Sequence, residues 1–291
     1  MSNNANLLGG PWSSLALQLH PSLASRRIQR CLERLAGAFA PLPPPRDSLW
    51  WDDGHPLQLL HGLPRAALSG PAQDIKDTAH GLLSRLVVAE SVQLPSFDLR
   101  TLDGLCHRPQ AWASEHAVQL EELAALPAAR EQVRIIGYRD FQAALYRTLP
   151  TLSLEHPLKL RQASWRGARF FLDNDAATTL ALASIVAYAR IRGIAVAVPA
   201  QVQRLRLDAE AIARLDETFT LHALPNAVWN HPDFIQVLLG LKLDYARLPM
   251  AAPGQDLEWL LLPKAVATTR LLAESLDRLG AAEVIGYLNS F

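Results

Sequence analysis

Arg169 to Val198 read RFFLDNDAATTLALASIVAYARIRGIAVAV. The first four residues are a short apolar strand. Asp173, Asn174 and Asp175 form an acidic turn, and Asp175 is a helix N-cap by residue type. A helix is predicted over 175–192. Its centre, Ala176 to Ala189, carries no charge for 14 residues, which is too short to cross a bilayer and fits a helix buried in protein. Gly193 is the expected C′ residue. Ile194 to Val198 is a continuous apolar run, as expected of a strand covered on both faces.

The same alternation extends outward. Upstream, Val133, Ile135 and Ile136 read as a short strand, 139–148 as a helix stopped by Pro150, and 158–163 as a strand. Downstream, Leu205 and Leu207 suggest a short strand, followed by helix 208–218, strand 219–223, a helix from Asn230 or Asp233 to about Leu241, strands 245–248 and 257–262, and helices near 264–279 and 281–290. This predicts an α/β (or α+β) fold with a mixed, largely parallel sheet flanked by helices. The first part of the chain is helical and Pro-interrupted. Ser22 can cap a helix to about Ala40, and Pro41, Pro43, Pro44 and Pro45 end it in a stiff spacer. A helix fits 72–88, residues 91–107 read as a turn-rich strand or loop, and 110–126 as a helix. The expected division is an arm, helix and spacer over 1–46, a mixed subdomain over 47–130 and an α/β domain over 131–291, with 47–291 a single joined unit as the alternative.

The chain has 291 residues, 49% hydrophobic and 19% charged, with 28 basic and 28 acidic side chains. That composition excludes a disordered chain. Each of 1–150 and 151–291 carries 14 basic and 14 acidic groups, so no charged arm is hidden by cancellation and a nucleic-acid partner is disfavoured. Only four of the basic residues are Lys, which reads as a coding bias. Cys31 and Cys106 provide no disulfide framework. The start, MSNNANLLGG, lacks a charged n-region followed by an apolar run, and a cytoplasmic protein with no membrane association is expected. Neither a Gly-rich phosphate loop, a G-x-S-x-G elbow nor H-E-x-x-H is present, and no cofactor or metal is implied.

Five constellations could carry chemistry. At the carboxyl end of the strand, Arg166, Arg169, Asp173, Asn174 and Asp175 are the leading ligand-binding candidates, because ligands of α/β sheets bind there. Asp52, Asp53, His55 and His61 offer oxygen and nitrogen donors, but their spacing matches no ligand pattern, and a polar turn beside Trp50 and Trp51 is the plainer reading. Asp77 and His80 are three apart on a helix, where a carboxylate can orient an imidazole; a solvated helix face shows the same pair. Cys106-His107 could lower a thiol pKa, or simply be a loop cysteine. Trp229 and His231 stand before a helix, where Trp packs as a hydrophobic staple or stacks on a ligand.

The strand, Asp turn, helix, Gly and strand of 169–198 resemble the core of the ParB-like nucleotide-binding fold. That family carries an Asp-Gly-x-His-Arg turn whose His and Arg engage phosphate. The matching residues are Asp173-Asn174-Asp175-Ala176-Ala177, so only Asp173 carries over. Separately, Lys76-Asp77-Thr78-Ala79, Phe97-Asp98-Leu99-Arg100-Thr101-Leu102, Trp165-Arg166-Gly167-Ala168-Arg169, Tyr188-Ala189-Arg190-Ile191-Arg192-Gly193 and Pro199-Ala200 together resemble an uncharacterised bacterial family of unknown function. This resemblance spans about 50 to 265 and implies a coherent unit without implying an activity.

With no catalytic motif and seven tryptophans suited to interfaces, the sequence points to a non-catalytic binding or regulatory protein. It would act through a protein partner or self-association. The alternative is a nucleotide binder or enzyme with a degenerate ParB-like core.

Overall fold

The computed structural model describes residues 28–39, 41–42, 47–53, 56–108, 119–149, 153–173, 176–250 and 256–291. They fall into two compact units that interleave along the chain. One takes the chain up to 43, then 57–87 and 207–291; the other takes 44–56 and 88–206. The change of pattern near 130 therefore lies inside the second unit, and the stretch 47–130 is divided between the two. Most of the N-terminal arm, the start of its helix and residues 43–46 of the spacer lie outside the described residues.

The second unit holds β1 (Val87–Asp98), β2 (Leu102–Leu105), β3 (Leu158–Ala163), β4 (Phe170–Leu172) and β5 (Ala197–Leu207), in the sheet order β1-β5-β3-β4-β2. The sheet is mixed. β3 pairs parallel with β5 and antiparallel with β4, while β2 pairs parallel with β4. Six residues join β3 to β4, room for a tight reversal but not for a parallel crossover. Gly167, at φ 68°, completes that reversal. β4 and β5 consequently run in opposite senses with β3 between them. The parallel unit predicted over 169–198 is realised instead from β3 to β5.

Between β4 and β5 lies α5 (Ala176–Arg192). Thr179, Leu182, Ala183, Ile185, Val186 and Ala189 on it are buried. It packs against α2 (Leu120–Ala125), α3 (Pro127–Gln132) and α4 (Tyr138–Thr148). A helix apolar on nearly every side needs such cover. Gly193 ends it at φ 65°, with Ile194 N–H donating to the Ala189 carbonyl at 2.9 Å. Ile194 to Val196 are spent leaving the helix, since the Val196 carbonyl accepts from Leu99 N–H at 3.0 Å. The strand begins only at Ala197 and absorbs Leu205 and Leu207. Val198, Ala200, Val202 and Leu205 are buried between more open neighbours, so β5 is covered mainly on one face.

Residues 133–136, expected as a strand, have no helix, turn or bend, with Val133 extended, but join no sheet.

The first unit has an antiparallel sheet in the order β7-β8-β6-β9, from β6 (Phe219–Pro225), β7 (Ala246–Pro249), β8 (Leu257–Pro263) and β9 (Ala282–Glu283). Every residue of β8 is buried. Around it lie α1 (Gln73–Leu83), α6 (Ala209–Thr218), α7 (Asn226–Trp229), α8 (Pro232–Gly240), α9 (Ala267–Arg278) and α10 (Val284–Leu288). α1 stops at Leu83 rather than 88, because Leu86 is used to accept from Asp208 N–H and β1 starts at Val87.

Candidate functional site

At the ends of β2 and β4, Cys106 N–H donates to the Leu172 carbonyl at 2.7 Å, and Asp173 N–H to the Lys159 carbonyl at 2.8 Å. This places His107, Arg161 and Asp173 together. Asp173 is 2.9 Å from Arg161 Nε and 3.4 Å from His107 Nε2. Beside them, Asp53 accepts from Arg108 and from Ser48, each at 2.6 Å. Asp52 lies within electrostatic reach of the same groups. Loss of hydration raises its pKa most, with His107 and Arg161 pulling it down. Two stretches far apart in sequence, 52–53 and 173, thus meet in one polar cluster.

The cations of this cluster contact the protein, though Arg166 Nε and Nη1 are buried without a hydrogen-bond partner among the described residues. Arg166 is 5% exposed and donates through Nη2 to the Ser48 and Trp50 carbonyls, both at 3.1 Å. Its guanidinium lies 4.9 Å from the Phe171 ring centre, and Arg169 lies 5.2 Å from the same ring, an arrangement that favours cation–π attraction. Burial, then the charge of Arg169, lowers the Arg166 pKa to about 10. Arg169 also reaches the Asp103 carbonyl and lies 3.7 Å from Asp47. Cys106 is buried, and desolvation pushes its thiol far above the ordinary range, which disfavours the thiolate. The geometry is that of an electrostatic staple joining 47–53, 103–108 and 158–173.

The other candidates disperse. Asn174, Asp175 and His55 lie outside the described residues. His61 belongs to the first unit, with Nδ1 3.4 Å from the Val87 carbonyl, whereas Asp52 and Asp53 belong to the second. The expected Asp77–His80 pair does not form. His80 Nε2 donates to the Leu63 carbonyl at 2.8 Å, and Asp77 accepts from Gln73 at 3.0 Å; a nearby backbone acceptor outcompetes the carboxylate. Trp229 is buried edge-on to Phe234, and His231 Nδ1 accepts from Asp233 N–H, capping α8. These are packing and capping roles. Among the described residues, no group of three or more His, Cys, Asp or Glu could hold a metal ion.

The described tryptophans, Trp50, Trp51, Trp165, Trp229 and Trp259, are all buried, which removes them as interface anchors. The exposed apolar groups are elsewhere. α2, α3, the extended 133–136 and the last turns of α5 enclose a groove of about 710 Å³. Ala124, Ala125, Ala187 and Tyr188 line it, with Val133 and Ile135 alongside. At its edge Ile136 is 68% exposed and Ile191 is 76% exposed. Glu121, Arg130, Glu131, Arg134 and Ser184 supply its polar lining. Sequence reading missed this site because Ile136 and Ile191 fit apolar patterns that normally mark a core. The one available signal was Ile191 standing between Arg190 and Arg192.

Fold and site define a mixed α/β protein of two units, with a charge-balanced cluster at its strand ends and an open apolar groove beside its central helix. The chain belongs to a family of unknown function, DUF6685, whose model matches residues 92–291. The family resemblance drawn from Phe97 to Ala200 is borne out as membership, while Lys76–Ala79 precede the matched stretch. No curated protein and no solved structure matches the chain. Among the described residues, no helix is long and apolar enough to cross a membrane.

Proposed function

We propose that this chain is a non-catalytic binding protein that takes a segment of a protein partner in the groove beside Ile136 and Ile191. One observation carries the reading: two isoleucines more than two-thirds exposed flank a concave, mostly apolar site. Its volume falls in the range of working ligand sites, and contiguous exposed apolar surface of this kind marks interaction sites. The ion pairs of Asp53 with Arg108 and of Asp173 with Arg161, and the buried, desolvated Cys106 thiol, support the same reading. Cys31 and Cys106 are not joined in a disulfide, which agrees with a cytoplasmic, reducing setting.

The test is crosslinking capture with the full chain as bait, comparing wild type, Ile191→Asp and Leu239→Asp. Leu239 is 72% exposed on α8 of the first unit and serves as the control. A partner retained by wild type and Leu239→Asp but lost from Ile191→Asp, at unchanged Tm, supports the proposal. Equal retention by Ile191→Asp overturns it.

A further inference from the structure

Val133 to Ile136 has the composition and the backbone of a strand without the ladder. Val133 is extended, at φ −141° and ψ 109°. Val133 and Ile135 pack on the core of the second unit, while Arg134 and Ile136 face outward, the two-residue period of a half-buried strand. Both ends are pinned. Val133 N–H donates to the Ala129 carbonyl at 2.9 Å, and Ile136 and Gly137 N–H donate to Asp140 at 3.1 and 3.0 Å. Between these pins, the Arg134 and Ile135 N–H groups and the carbonyls of Val133, Arg134 and Ile135 make no hydrogen bond to any described residue. Unpaired backbone groups beside an apolar groove can take an added extended chain, as an open sheet edge does, with the Arg134 and Ile135 groups facing opposite sides so that one side pairs.

The charges around it indicate the chemistry of the added strand. Glu121 is held by Arg190 at 2.9 Å. That leaves Glu131 against Arg130 and Arg134, with Arg192 nearby over the Tyr188 ring at 5.8 Å. None of these three arginines forms an ion pair among the described residues. We infer that the occupant is an extended protein segment that adds as a strand along 133–136, with apolar side chains entering the groove and carboxylates meeting Arg130 and Arg134. A partner helix satisfies its own amides and leaves the edge unpaired, and a planar anionic membrane leaves the concavity unfilled. The inference rests on the groove being the binding site.

Its test is fluorescence anisotropy with the full chain and a short labelled peptide in which Val alternates with Glu. Binding is expected to weaken by about tenfold or more in Arg130→Glu/Arg134→Glu, and to be lost in Ile191→Asp. N-methylation of alternate amides should abolish binding in one frame and spare it in the other, because only one edge pairs. A Val–Lys peptide that binds equally well, or methylation without effect in either frame, overturns the inference; loss in Ile191→Asp would then still uphold the groove. No binding of any peptide up to about 1 mM overturns the inference, and the capture experiment separately decides the groove. A dimer seen by light scattering and lost in Ile191→Asp overturns it in favour of a second copy, as does binding to anionic vesicles that Ile191→Asp abolishes in favour of a membrane.

Discussion

Gly104 has no room for a side chain. A Cβ there would lie 2.5 Å from the Leu49 carbonyl oxygen and 2.5 Å from the Phe171 ring. The close approach lets residues 49–50 run beside β2, where Leu105 N–H donates to Leu49. Gly104→Ala is therefore expected to cost about 1–3 kcal/mol by overpacking. Gly81, inside α1 with nothing near its missing Cβ, should behave in the opposite way, gaining up to about 1 kcal/mol as Ala. Urea unfolding of the two variants checks the pair. Asp98 gives a pH-dependent case. Its hydrogen bonds from the Arg100 side chain hold its carboxyl below the usual range. Folding favours the ionised form, so the pair stabilises fully above the ordinary carboxylate pKa and fades as pH falls through the lowered native value. Asp98→Asn should lower Tm at neutral pH, and the gap to wild type should close on acidification.

Among the elements, α5 shows what a local pattern can and cannot tell. Its length, its charge-free centre and its Gly193 stop were all readable, because burial and backbone conformation leave direct marks on residue type. The sense of the strands on either side was not. That follows from the six-residue turn between β3 and β4, a constraint that no apolar run records. Ile194 to Val198 also misled, since three of its residues serve the helix exit. Likewise, 133–136 has strand residues but no strand partner, so propensity was satisfied without a sheet. Arg190 ties α5 to its surroundings. Its Nε donates to the Arg100 carbonyl at 2.8 Å, Nη2 to the Leu102 carbonyl at 2.6 Å and Nη1 to Glu121 at 2.9 Å. Lys cannot supply this fork. Arg190→Lys should cost about 1–3 kcal/mol, seen as a lower denaturation midpoint with an unchanged slope.

Taken whole, the molecule explains why the candidate residues scattered. The chain leaves and re-enters its two units, so neighbours such as Asp53 and His61 belong to different units, while Asp53 and Arg108 meet. The staple at the strand ends was half legible: Asp52, Asp53, Asp173 and His107 stood out, but Arg108 and Arg161 are ordinary until the strands align them. The antiparallel sheet of the first unit left strands readable one by one, though not their pairing. The groove was illegible because its walls come from 121–136 and 184–191, and exposure is not written in an isoleucine. Its use as a docking edge is the central claim. Amide hydrogen exchange of the full chain, with and without the Val–Glu peptide, tests it most directly. Slowed exchange on binding at one of Arg134 and Ile135, whose N–H groups face opposite edges of the extended backbone, is the predicted result. Unchanged exchange at both amides, while the peptide is bound, would contradict it.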